Sequence, residues 1–176
     1  FIMPCMPKWL ATEEALVNHP YTAVYLSVGV AVLKAVMSYV QNRQPRAYAQ
    51  PVACHPNIRR RVAKISAELD AARWLLRYAA QSVDTDEIGA DEASAAYLKA
   101  KYVGGETVAS TARFALEIGG GHAIFKGGEI ERLFRDGATA TIMPPSGDVG
   151  LSALSEHELQ LDREQIQSPL KLKEDR

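Results

Sequence analysis

Cysteine is scarce. Cys5 and Cys54 are the only two in 176 residues, far apart and without metal-ligand spacing, which excludes both a disulfide scaffold and a cysteine-ligated metal centre. A reduced, cytoplasmic setting is the expectation. A surplus of charge is missing too. The net charge of -1 leaves no electrostatic case for nucleic acid or an acidic membrane surface. The histidines are His19, His55, His122 and His157, and no Glu-x-x-His spacing accompanies them, so a metal site in a helical bundle lacks its ligands. No glycine-x-serine-x-glycine elbow is present for a nucleophile. No segment alternates with period two, which removes the case for strands. A methionine start and a basic segment leading into an apolar core are also missing. The chain opens on Phe1, as if cut from something longer. Residues 1–20 contain Pro4, Pro7 and Pro20 and are expected to form a linker with one short turn at Thr12–Leu16.

What remains is helical periodicity. Tyr21 to Asn42 is almost continuously apolar, with Ser27, Lys34 and Ser38 as the polar exceptions between Val24 and Val40. A lysine near the middle disfavours a membrane span. The segment is expected to be a bundle helix buried on nearly all sides, ending near Arg43-Gln44-Pro45. After a loop from Arg46 to Pro56, Ile58, Val62, Ile65, Leu69, Ala72, Leu76 and Ala79 recur at steps of three and four, the mark of one apolar stripe. Arg59, Arg60, Arg61 and Lys64 form a basic cluster at that helix's start. It reads either as a solvated face or as a site for phosphate or an acidic partner. A third stripe runs Ala95, Leu98, Tyr102, Gly105, Ala109, Ala112, Leu116, and its small residues predict close packing at Gly104-Gly105. A short fourth helix is expected around Ile130, Leu133 and Phe134. Pro144-Pro145-Ser146-Gly147 reads as a turn, and residues 151–176 as a polar tail, briefly helical near Glu156–Leu161 and disordered by Lys171. The fold expected is all-α: an antiparallel up-down four-helix bundle occupying residues 21–150.

The third helix runs into Gly119-Gly120-Gly121-His122. Three glycines stop a helix, since each costs about 1 kcal/mol relative to alanine in a helix interior. They also leave backbone bare of side chains, where another group can approach closely.

The order of motifs resembles the C-terminal helical domain of the FAD-dependent acyl-CoA dehydrogenases. That family has a first helix ending Arg-Lys-x-Phe-Gly, a second ending in an alanine- and arginine-rich turn, a third ending Gln-x-x-Gly-Gly, and then Glu-(Lys/Arg)-Leu-x-Arg-Asp. Here the matching residues are Arg43, Glu68-Leu69-Asp70-Ala71-Ala72-Arg73, Glu117-Ile118-Gly119-Gly120-Gly121 and Glu131-Arg132-Leu133-Phe134-Arg135-Asp136. The resemblance covers about Tyr21 to Ile142. It implies that Arg43 faces the FAD pyrophosphate of a neighbouring subunit, and that Gly120 and Gly121 bring backbone N–H groups to the cofactor. It sets Glu117 and His122 beside them, and has Arg135 and Asp136 hold the glycine loop. It further implies an acyl-CoA substrate, a flavin that accepts hydride, and self-association as a dimer or tetramer. The departures are specific: Arg43-Gln44-Pro45-Arg46-Ala47 lacks the aromatic and the glycine, Glu117 replaces a glutamine, and the usual catalytic glutamate falls on Pro144. The catalytic base is therefore unassigned, and the chain is expected not to be competent by itself. A flavin monooxygenase of the same fold, with His122 near the flavin, and a non-catalytic oligomerisation or partner-binding bundle are the alternatives.

Overall fold

The computed structural model describes residues 8–85, 88–161 and 166, with side chains from Pro20 onward except Val83. Five α-helices and short 3-10 turns make up the architecture among these residues: α1 (Lys8–Asn42), α2 (Pro56–Asp84), α3 (Ala90–Gly119), α4 (Glu129–Ala138) and α5 (Gly147–Glu158). The all-α fold is as expected, with one helix more than the four anticipated.

Helix α1 begins well before Tyr21 and passes through Pro20. The boundary placed at residue 20, and the separate turn at Thr12–Leu16, therefore both fall inside one continuous helix. A proline removes a single N–H and crowds the preceding turn, a local cost that intact turns on both sides can offset. Burial along α1 also differs from the expectation. Leu26, Val32, Leu33, Val36 and Val40 are in the core, whereas Tyr21, Val24 and Met37 are exposed. The helix buries one face, not all sides. Pro20–Asn42 is long and apolar enough to cross a membrane by length and composition alone, and 33% of its most apolar window is buried within the bundle.

Helix α2 follows its periodicity closely. Ile65, Leu69, Ala72 and Ala79 are buried, with Ile58, Val62 and Leu76 packed partly against them. Pro56 occupies its first turn, where a missing N–H costs nothing, and the His55 side chain accepts from the Asn57 N–H as its cap. The alanine- and arginine-rich turn at Glu68–Arg73 lies in mid-helix, not at an end.

Helix α3 is the central element and touches each of the other four. Of the expected stripe Ala95, Gly105 and Ala112 are buried, Leu98, Ala109 and Leu116 are half-buried and Tyr102 is exposed, while the buried face also takes in Ala93, Ala96, Tyr97, Ala100, Lys101, Thr107, Val108, Thr111, Phe114 and Ala115. Small residues set the helix spacing. A Cβ on Gly104 would come 3.4 Å from Thr22 of α1, and one on Gly105 would lie 3.1 Å from the Ala140 carbonyl oxygen. Gly29 of α1 lies at a three-helix crossing, where a Cβ would sit 2.8 Å from Leu69 and 3.0 Å from Val108.

Helix α5 crosses the expected tail boundary at residue 150 and packs on α3. The tail beyond residue 166, including the disorder expected by Lys171, lies outside the described residues, as do Asp86 and Glu87.

Candidate functional site

The antiparallel course of α1, α2 and α3 brings the end of α1, the start of α2 and the end of α3 to one end of the bundle. An ion pair between Arg61 of α2 and Glu117 of α3 spans the last two. The residues singled out from sequence at Arg43, Glu117 and Gly120–His122 all belong to this end, as does the basic cluster.

Helix α3 ends on Gly119, whose own Cβ position would fall 2.5 Å from Ala123, so no other residue fits there without movement. Gly120 turns the chain with φ 59° and ψ -151°, a region that side chains avoid. Its N–H is already taken by the Leu116 carbonyl. Gly120 therefore offers a partner its bareness, not its amide. Around both Gly120 and Gly121 the space a side chain would fill is open. The 3-10 turn Gly120–Ile124 follows. His122 is exposed on it, its ring centroid 6.0 Å from that of Phe125. Ile124 and Phe125 are 69% and 65% exposed, respectively, an apolar rim beside a bare backbone.

Charge at this end is arranged around Glu117. Its Oε2 accepts from the Arg61 guanidinium and its Oε1 from Arg113 Nε at 3.2 Å. Arg61, and then Arg113, hold the carboxyl below the usual carboxylate range. Arg61 also lies over the face of Phe114, 4.3 Å from its centroid, and Phe114 is 2% exposed. Two guanidiniums against one carboxylate leave the trio at 2 − 1 = +1. Arg43, exposed at the end of α1, adds to the basic character, as do Arg59 and Arg60. Within the basic cluster the outcome is divided: Lys64 pairs with Glu68 at 3.0 Å, and Arg61 with Glu117.

The Arg-Asp segment does not hold the glycine loop by any described contact. Arg135 pairs with Glu131, and Asp136 with Arg132 at 3.5 Å, each within α4. Glu131, whose carboxyl Arg135 holds below its ordinary range, also pairs within α4 and makes no described contact with Gly119–Gly121.

The position matched to a catalytic glutamate, Pro144, is exposed on the connection between the 3-10 turn Thr139–Thr141 and α5. A proline ring can neither take up nor release a proton. What registers the 3-10 turn before this connection is Lys101, a cation with no local mark of burial in the sequence. Lys101 is 4% exposed, donates through Nζ to the Ala140 carbonyl at 2.8 Å, and has its pKa lowered by burial. The spacing Tyr97, Lys101, Gly104, Val108 runs down a buried face of α3. No group of His, Cys, Asp and Glu able to hold a metal occurs among the described residues.

Fold and site together define a helical-bundle domain with one basic, glycine-lined end and an apolar rim. Comparison with known proteins gives that class its family. Residues 20–157 match the model of the acyl-CoA dehydrogenase C-terminal domain, and the chain belongs to the acyl-CoA dehydrogenase family. A 3-(aryl)acrylate reductase of Clostridium sporogenes (strain ATCC 15579) is 30% identical over 124 residues, covering 70% of this chain and 31% of that protein. The chain thus spans about a third of the curated relative it matches. Butyryl-CoA dehydrogenase from Megasphaera elsdenii superposes with a TM-score of 0.76 at 20% identity, covering 85% of this chain and 38% of the other. A nitroalkane oxidase complexed with spermine reaches 0.78 at 11% identity, covering 87% and 35%. The shared architecture at such low identity concerns the fold alone, and a fold does not select a substrate.

Proposed function

We propose that this chain is the C-terminal helical domain of an FAD-dependent oxidoreductase acting on the CH–CH group of acyl thioesters, where it contributes one wall of the flavin site and part of the oligomer interface. One observation carries the reading. In a fold of this family, the end of α3 is stripped to open backbone at Gly120 and Gly121, at the same bundle end as the unburied Arg43. A guanidinium suits a pyrophosphate by its planar, forked donors. Bare backbone admits a flat, bulky group that a Cβ would repel. Glu117, a carboxylate beside a proposed phosphate site, is compensated by Arg61 and Arg113, so the local charge still suits an anion. His122 stands on the same loop with its ring accessible. The residues present fit the cofactor.

Bound FAD would supply the hydride acceptor for oxidation of an acyl-CoA-type substrate. This chain's own part is to bind and orient: Arg43 at the phosphates, Gly120–Gly121 as the approach, and Ile124 and Phe125 as apolar surface for a neighbouring subunit. The base is a separate matter. With Pro144 at the matched position, no residue is assigned to proton abstraction, and the chain is not competent by itself. That same proline favours a second reading, in which the bundle serves flavin chemistry without a carboxylate base, or serves assembly alone. The exposed apolar residues of α1, Tyr21, Val24 and Met37, fit burial against another protein surface in either case.

The test is the visible spectrum of the full-length purified protein with anaerobic addition of an acyl-CoA. Bound flavin that bleaches supports a dehydrogenase. Bound flavin that stays oxidised favours the second reading. Protein that neither carries nor takes up FAD contradicts the flavin site outright.

A further inference from the structure

Glu117 sits three residues before Gly120, on the last turn of α3. A carboxylate there is badly placed twice over. It adds to the negative end of the helix dipole, and it would repel any phosphate approaching Gly120 and Gly121. The structure shows where its charge goes. One oxygen is taken by Arg61 of α2 and the other by Arg113, one turn back along α3. Neither partner belongs to the loop. Arg61 is itself held, its guanidinium lying over Phe114 at 4.3 Å, a side chain fixed in the core. A stacked and paired guanidinium has few other rotamers open to it.

We propose that Arg61 is a positioning residue for the cofactor end of the bundle. By holding the Glu117 carboxylate toward α2 it keeps that charge off the glycine loop, so that a pyrophosphate-bearing ligand meets bare backbone and net positive charge. Glu117 then acts as the tie between α2 and α3, not as a group that touches the ligand. The inference rests on the reading of the glycine loop as flavin-facing. Arg113 lies one turn back on Glu117's own helix, so its contact does not draw the carboxylate toward α2.

The experiment is a cycle of Arg61→Met, Glu117→Gln and the double variant in the full-length protein, with FAD affinity read by quenching of flavin fluorescence and stability by thermal unfolding. Methionine retains an apolar cover on Phe114. Arg61→Met is expected to weaken FAD binding about tenfold or more, the scale on which an unmasked like charge acts on a ligand. Glu117→Gln should stay within about threefold of the parent, and the double variant should return to within about threefold, since the repelling charge is gone. A double variant as weak as Arg61→Met overturns the proposal, because Arg61 would then contact the ligand itself. Unchanged affinity in Arg61→Met overturns it as well. Unfolding temperatures should shift non-additively across the cycle, and additive shifts would sink the tie independently of any flavin. A parent that binds no FAD removes the flavin reading and the ligand part of this proposal, while non-additive unfolding still identifies the tie.

Discussion

At one end of the bundle α3 leaves through Gly119–Gly121 between arginines on α2 and its own last turns. At the other end α3 enters between Asp84 of α2 and the last turn of α5, with Asp91 and Glu92 in its first turn. The two ends are built from the same alanine-rich helices, with Ala79, Ala96 and Ala100 buried together toward the second and Gly137 set close against Ala112 toward the first. Their chemistry is opposite. The acidic end closes on itself, with Lys99 to Glu158 at 2.6 Å joining α3 to α5. The basic end stays open. A net charge of -1 for the whole chain conceals this separation, so bulk charge was uninformative about a site that local charge defines.

The comparison can be broken most severely by moving charge. Arg43→Glu should weaken FAD binding in the full-length protein about a hundredfold, as a charge-assisted phosphate contact becomes a repulsion. Glu158→Arg, at the acidic end, should leave affinity within about twofold. Equal losses would erase the distinction between the ends. Backbone comes next. Gly120→Val should destabilise by about 1–3 kcal/mol in urea titration, because φ 59° with ψ -151° is a region that side chains avoid. Gly89, the cap of α3 at the other end, has φ -66° and open space. Gly89→Ser should therefore stabilise by about a few tenths of a kcal/mol, serine being the better cap.

Smaller effects concern the ion pairs. Glu117 and Glu158 both have carboxyl pKa values lowered from 4.5, by Arg61 and Lys99 respectively. A carboxylate depressed in the folded state adds stability above its unfolded pKa, and that stability is lost as pH falls through the folded value. Thermal unfolding followed downward from neutral pH should lose stability below about 4.5 in the parent, and Arg61→Met and Lys99→Met should each remove one share of that loss. The smallest effect is Lys99→Met at neutral pH, a barely resolved shift of the unfolding midpoint, since both partners are substantially exposed and such pairs contribute little.

How much of this was legible depends on the range of the interactions involved. Helix α2 declares itself because Ile58 to Ala79 repeat along one face, and periodicity is local. The glycine stop at the end of α3 was legible for the same reason. The start of α1 was not, because Pro20 is a breaker in a local reading and the rest of the helix outweighs it. The width of the α3 core was hidden because alanine, glycine and threonine signal burial weakly, although they permit four neighbours to pack on one helix. The tie between Arg61 and Glu117 spans 56 residues and joins groups that each look like solvated surface in sequence. Lys101 is buried by the turn that arrives 39 residues later. Contacts of that separation carry no local mark, and they are what define the candidate site.

The most direct measurement is FAD content and uptake by the full-length protein, compared with Arg43→Glu and Glu158→Arg prepared in the same way. Bound flavin in the parent and in Glu158→Arg, with loss in Arg43→Glu, is the result this account predicts. A parent with no flavin and none taken up on titration, or flavin retained equally in all three, would contradict it.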